Sequence, residues 1–281
     1  MKKTIFTLSI LSVMMFTGCS SDDDSIDNVV RRPLNVMTDV TRAAATTTST
    51  LTSFKMYAVE PFTDYTLTKN NDGLWISSPQ SWPAEANDDD NVTFYAVDGG
   101  TYNAKGRYVT HNVNEDAFNQ KDLLVAATNA NYTASSGVLH LSFKHVCTAV
   151  NFSLYMSNTL KEKLGDKTLY VTEVKLTGVK NTGHYDPATD NWTDVSGNAS
   201  YTLTTSPVII GTEAEAKELP CQYLFMIPQT LTDQVKIEFK YKVGENGEER
   251  SNSISLKDKL WKANQKDNII IKLGTSLINI N

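Results

Sequence analysis

The chain has 281 residues, 40% hydrophobic and 21% charged, with 12 Tyr, 10 Phe and 4 Trp. Its 26 Lys and Arg against 32 Asp and Glu give a net charge of −6, and with no basic patch it offers nothing to the phosphates of nucleic acid. A chain of this size can bury one large core or two ordinary ones, and two domains are the better expectation.

Lys2 and Lys3 make a positive start, Thr4 to Phe16 a short apolar stretch, and small Thr17 and Gly18 precede Cys19. This is the pattern of a lipoprotein signal peptide over residues 1–18, too short to span a bilayer as a stable helix. Cys19 is then the lipidated first residue of an exported chain, and at about 0.8 kcal/mol per buried CH₂ two or three acyl chains hold it permanently. An ordinary secretory signal with a chance cysteine is the alternative. Without Lys2 and Lys3 the balance is 24 basic against 32 acidic residues, about −8. The run Asp22 to Asp24 opens a charged tether and resembles the signal that sends lipoproteins of certain Gram-negative anaerobes to the outer face of the outer membrane.

Residues 19–42 thus combine lipid anchor, acidic tether and a first strand. Leu34, Val36, Thr38 and Val40 share one face of an extended segment, so Val29 to Val40 can pair as a strand. The basic pair Arg31-Arg32 falls in the tether. Ala43 to Thr50 is a small-residue, threonine-rich linker, and the Arg42-Ala43 bond at its start is open to a trypsin-like protease.

Short runs rich in Val, Ile, Thr, Tyr and Phe then recur between Gly, Asn, Asp and Pro clusters, which predicts an all-β chain. The expected strands are Leu51–Val59, Leu74–Ile76, Val92–Val97, Asp122–Ala127, Val138–Lys144, Ala149–Met156, Leu169–Leu176, Tyr201–Thr204, Tyr223–Ile227, Val235–Val243, Ser251–Leu256 and Asn268–Leu273. Ser157 to Lys167, with Leu160 and Leu164 at helical spacing, is a short helix or a connection between domains. Val138, His140 and Ser142 alternate with Leu139, Leu141 and Phe143, and Val235, Ile237, Phe239 and Tyr241 alternate with Lys236, Glu238, Lys240 and Lys242. One face of each is buried and the other wet, as in antiparallel sandwiches, with the lysines suiting an exposed or edge strand. The domains are expected at 43–160 and 161–281.

Catalytic and metal patterns are missing. His111, His140, His145 and His184 are scattered without ligand spacing. His145 and Cys147 share a strand face, but a structural histidine is the expected reading. The runs Asp88 to Asp90 and Asp186 to Asp190 read as solvated turns, with loop calcium as the alternative. Trp75, Trp82, Trp192 and Trp261 could stack on sugars if displayed in pairs, but core positions are expected. Once Cys19 is lipidated only Cys147 and Cys221 remain, read as two separately buried thiols. No enzyme, cofactor or metal is expected.

The order and spacing of several pieces resemble the fimbrillin-like family of pilus subunits and accessory pilins from gut and oral anaerobic bacteria. These are Cys19, Thr41-Arg42-Ala43, the run Leu51 to Ala58, Trp82-Pro83 before Val92 to Ala96, Asp122 to Ala126, Leu141 to His145 leading into Ala149 to Phe152, Phe225 to Gln229, and Trp261 before the last strand. The resemblance implies two tandem transthyretin-like antiparallel β-sandwich domains in an outer-membrane lipoprotein precursor. It also implies an arginine-specific protease that removes the first strand after Arg42, and a neighbouring subunit whose strand fills the groove. Such an exchange restores both the apolar cover and the backbone pairing of an emptied edge. The donor would be Gly274 to Asn281, with Ser276, Ile278 and Ile280 on one face, unless that segment completes its own domain. Partners are then other pilin subunits, the outer membrane through Cys19, and a host or bacterial surface ligand, and the mature protein resides in a fimbrium. The competing reading is a surface glycan-binding lipoprotein of a nutrient-uptake system, which has no reason to carry the Arg42-Ala43 junction.

Overall fold

The structure is a computed structural model and describes residues 32–40, 51–204, 206–221 and 223–280. Its strands in chain order are β1 Asn35–Val40, β2 Ser53–Val59, β3 Phe62–Lys69, β4 Trp75–Ser78, β5 Val92–Asp98, β6 Thr101–Asn103, β7 Tyr108–Asn112, β8 Leu124–Ala130, β9 Val138–His145 and β10 Thr148–Met156. They continue as β11 Leu169–Val179, β12 Thr182–Asp186, β13 Asn191–Ser196, β14 Ala199–Thr202, β15 Val208–Ile209, β16 Lys217–Glu218, β17 Leu224–Met226, β18 Lys236–Val243, β19 Arg250–Ser255 and β20 Gln265–Leu273. Each of the twelve expected strands has a counterpart. The expected helix is α2, Asn158–Leu164, which follows α1, Tyr132–Ser135. The Ser157 side chain caps α2 by accepting from the Leu160 amide, and Leu160 and Leu164 are its buried residues.

Seven strands form one sheet in the order β1-β9-β8-β5-β2-β3-β4. Its ends meet, because Pro33 bridges to Ser81 just beyond β4 and Trp75 Nε1 of β4 donates to Thr38 Oγ1 of β1 at 3.0 Å. The sheet therefore curls over its own core, which holds Leu34, Val36, Phe54, Trp82, Phe94 and Phe143. The inward and outward faces of β9 are those expected, with Leu139, Leu141 and Phe143 buried and His140 and Ser142 exposed.

A second core lies in the C-terminal half. There β10 pairs with β16, β17 and β20, while β14-β11-β18-β19 form another sheet with β15 on β11. Phe152, Leu154, Val174, Phe239, Trp261 and Ile271 are buried in this core. β18 alternates as expected, but it lies between β11 and β19, so its lysines mark a wet face of a central strand, not an edge. Glu173 takes both Lys240 and Lys175 on that face.

Three features depart from the sequence expectations. Two pairs run parallel, β1 with β9 and β10 with β20, so neither half is purely antiparallel. The long chain between the members of each pair supplies the crossover that parallel strands need. Next, β10 bonds to strands of the C-terminal half, so the sheet pairing changes hands at Val146-Cys147. Finally, β6 and β7 pair with β12 and β13 in a small sheet that draws on both halves of the chain. It covers the outer side of the first sheet through Tyr57, Tyr95, Tyr102, Val109 and Tyr185.

Candidate functional site

β1 lies at the edge of the first sheet, and its surroundings are asymmetric. It runs parallel to β9 with Val36 level with Leu139, Thr38 with Leu141 and Val40 with Phe143. Leu34 and Val36 are buried, Val40 packs at the margin of the core, and Met37 on the opposite face is 56% exposed. Burial of the two aliphatic side chains stabilises the docked strand by about 1.5–3 kcal/mol each. On the outer face Ser142 Oγ donates to Asp39 at 2.8 Å.

The start of the strand is fastened more tightly than its middle. The Asn35 amide donates to Gly137 O at 2.9 Å, the Leu34 amide to Gln80 O at 3.1 Å and the Trp82 amide to Arg32 O at 2.8 Å. Gly137 has φ +73°, and a Cβ there would sit 3.0 Å from Pro33 O, so glycine permits both the turn and the close approach. Arg32 does not belong to a solvated tether. Its guanidinium donates to Ala86 O at 2.6 Å, Pro83 O at 2.8 Å, Ala84 O at 3.2 Å and Asp88 Oδ1 at 2.8 Å. It also lies 6.0 Å from the centre of the Tyr132 ring. Nothing in the alternation points to this clasp, and Arg32 followed by Pro33 is the only trace of it in the sequence.

The C-terminal segment does not have the expected strand geometry. The Leu277 and Ile278 amides both donate to Gly274 O, at 3.0 and 3.1 Å, closing a turn. Ser276 is exposed while Ile278 is buried in the second core, with Leu277 and Ile280 packed against it, so the three proposed donor residues do not share a face here. Side chains hold the backbone: Asn252 Nδ2 donates to Leu277 O at 2.9 Å, Arg250 to Asn279 O at 3.0 Å, and the Asn279 amide donates to Tyr241 Oη at 2.8 Å. A cavity of about 710 Å³ runs beside this segment, between Lys163 and Arg250. The segment is thus seated on the second core.

Cys19, Arg42, Ala43 and Asn281 lie outside the described residues, as do Val29 to Arg31 of the proposed first strand.

The chemistry of the remaining candidates is structural. His145 Nδ1 is 2.5 Å from Asp122 Oδ2, with both side chains buried. Burial, and then the neighbouring Asp122 charge, push the Cys147 thiol well above its usual value, the opposite of what a nucleophile needs. Cys147 and Cys221 are free and separately buried. Asp90 accepts from the Asn87 amide, and Asp186 from the Ala188 amide, each closing its own turn. Among the described residues no group of three or more His, Cys, Asp or Glu is placed to hold a metal ion, and no helix is long and apolar enough to cross a membrane. Trp82 and Trp261 are buried, while Trp75 and Trp192 are half-buried and donate to Thr38 and Val146 O.

His111 Nδ1 donates to Gly99 O at 2.7 Å in a buried setting, and burial lowers its imidazole below the ordinary 6.5. In the unfolded chain the ring gains its proton as pH falls through that value while the folded chain resists. Its contribution is therefore full above the unfolded value and declines below it. Urea midpoints followed between about pH 8 and about pH 5 are expected to fall more steeply for the natural chain than for His111→Gln. Profiles of equal slope would remove His111 as the cause.

Fold and site together define an all-β protein of two cores whose first strand is a fastened edge piece. The chain belongs to the fimbrillin-like family, whose model matches residues 36–281. No curated protein matches the sequence. Among solved structures, a fimbrial protein from Bacteroides vulgatus is similar with a TM-score of 0.61 at 16% identity, over 89% of this chain and 97% of that one. A candidate cell adhesion protein from Bacteroides eggerthii has a TM-score of 0.54 at 11% identity, over 87% and 86%. One from Bacteroides uniformis has 0.51 at 16%, over 89% and 96%. At these identities the likeness shows the fold.

Proposed function

We propose that the protein is a cell-surface fimbrial subunit with an adhesive role, made as a lipoprotein precursor and assembled by strand exchange. Lipid on Cys19 holds the precursor at the outer membrane. An arginine-specific protease cuts at Arg42-Ala43, the segment carrying Leu34, Val36 and Val40 leaves, and a strand from a neighbouring subunit takes its place. The residues of Gly274 to Asn281, among them Ser276, Ile278 and Ile280, serve as donor. The observation that carries this reading is β1 itself: an edge strand that supplies inward side chains to a core whose other members come from residues 51–143. Removing it would leave an apolar groove and the unpaired edge of β9, which an incoming strand satisfies. The glycan-binding alternative gains nothing from the tryptophans, since each is buried or already engaged.

Treatment of the purified precursor with an arginine-specific protease is expected to give a chain starting at Ala43 by mass spectrometry, followed by growth of oligomers in light scattering. Arg42→Ala is expected to abolish both. A trimmed chain that stays monomeric would count against self-polymerisation and leave a tip or accessory role.

A further inference from the structure

Leu34 and β1 together present four inward positions in order: Leu34 and Val36 in buried apolar sites, Thr38 bonded to the Trp75 indole, and Val40 at the margin. The third differs in kind. Trp75 Nε1 finds its acceptor in Thr38 Oγ1, while its ring packs edge-on against Phe54 at 4.8 Å. A strand that replaces β1 with an aliphatic residue there leaves that indole N–H without its acceptor. The groove therefore asks for apolar, apolar, hydroxyl and then a small or apolar residue, read from the Leu34 end.

The face of the C-terminal segment reads Gly274, Ser276, Ile278, Ile280. Placed parallel to β9, as β1 is, it puts glycine in the Leu34 site, serine in the Val36 site and isoleucine under Trp75, three mismatches. Reversed, it puts Ile280 in the Leu34 site, Ile278 in the Val36 site, Ser276 under Trp75, and Gly274 at the margin where Val40 is only partly buried. Shifting the reversed alignment by one pleat removes the serine from Trp75, and the parallel shift that brings Ser276 there puts Lys272 in the Leu34 site and Gly274 in the Val36 site.

We propose that Trp75 is a specificity-determining residue of the groove, and that the C-terminal segment of a second copy of this chain enters antiparallel to β9 with Ser276 accepting from Trp75 Nε1. The resident strand and its replacement then run in opposite directions, and replacement exchanges a parallel pairing for an antiparallel one, which is slightly more stable per residue. Ile278 must first leave its seat in the second core, where hydrogen bonds with the side chains of Arg250, Asn252 and Tyr241 hold the segment. This inference rests on the strand-exchange reading above.

The test uses the full chain with a cleavage sequence for an unrelated protease inserted between Ala45 and Thr46, so that nothing depends on Arg42. After cutting, a synthetic peptide of residues 274–281 is offered and displacement of the N-terminal fragment is measured. In the antiparallel register Thr275 lies level with Ser142, an outward residue of β9. In the parallel one Asn279 does. With Ser142→Cys in the protein, a peptide carrying Thr275→Cys is expected to form the disulfide and one carrying Asn279→Cys is not, since bridging needs Cα atoms about 4.4–6.8 Å apart. Ser276→Ala in the peptide is expected to weaken binding about tenfold, the loss of one hydrogen bond to a half-buried donor, and Ser276→Thr to keep it. With Trp75→Phe the serine and alanine peptides should bind alike. Cross-linking through Asn279→Cys, or equal affinity of the serine and alanine peptides for the natural groove, overturns the orientation and the role of Trp75 while leaving strand exchange intact. Failure of every peptide to displace the fragment overturns both.

Discussion

Arg32→Ala is expected to loosen β1 by about 2–3 kcal/mol and, in a chain cut within residues 43–50, to release the N-terminal fragment about 30- to 140-fold faster. The natural side chain is 12% exposed and its ion-pair partner Asp88 59% exposed, so the salt bridge itself contributes little in water. The larger part comes from the three carbonyls of Pro83, Ala84 and Ala86. They converge on one planar guanidinium, which is better suited to such a fork than a flexible ammonium. Arg32→Lys should therefore recover only part of the effect. Surface plasmon resonance of fragment release measures the rate, and hydrogen exchange at Asn35 to Val40 reports the same loosening in the uncut chain. If exchange there is unchanged in Arg32→Ala, the clasp is ornamental and β9 alone holds the strand. The Arg32 side chain is engaged and followed by proline, so the bond after it is a poor target for an arginine-specific protease.

The sequence reveals which residues of β1 face inward, because alternation at Leu34, Val36 and Val40 needs only the two-residue period of a strand. It does not reveal the partner. Parallel pairing with β9 depends on residues about a hundred positions away, and the alternation of Val138 to Phe143 says which side is buried but not which strand lies alongside. The same limit hides the small sheet. β13, Asn191–Ser196, is exposed or half-buried throughout, so it shows no apolar period and gains its place by pairing with β12. β3 is hidden for a related reason: Tyr65 and Leu67 are its only fully buried residues among threonines and Asp64. At the other end of the chain, alternation over Ser276, Ile278 and Ile280 is real but insufficient, since the amides of Leu277 and Ile278 fold onto Gly274 O and set Ile278 into a core instead of a ladder. Trp75 could be expected to be at least partly buried, whereas its pairing with Thr38 required the curl that brings β4 round to β1.

Asp122→Ala is expected to cost up to about 3 kcal/mol, because it leaves the buried His145 Nδ1 without its partner. His145 ends β9 and Thr148 begins β10, so the two residues Val146 and Cys147 carry the chain from the first core to the second. The pair ties this corner down, since Asp122 precedes β8 and the Val146 amide donates to Leu123 O at 3.1 Å. β9 is also the strand on which β1 lies, so a loosened corner should disturb the groove as well as the fold. Asp122→Asn keeps an acceptor for His145 Nδ1 without the charge and should cost less than alanine. Urea unfolding of the three proteins gives the ranking. A double substitution, Asp122→Leu with His145→Phe, separates the two contributions: if the cost comes from stranding a buried polar group, replacing both partners by apolar residues should restore part of the stability lost in Asp122→Ala. Equal destabilisation of the double variant would instead mean that the corner depends on the pair's own geometry. In that case the histidine between the two cores serves to position β9, the strand on which β1 lies.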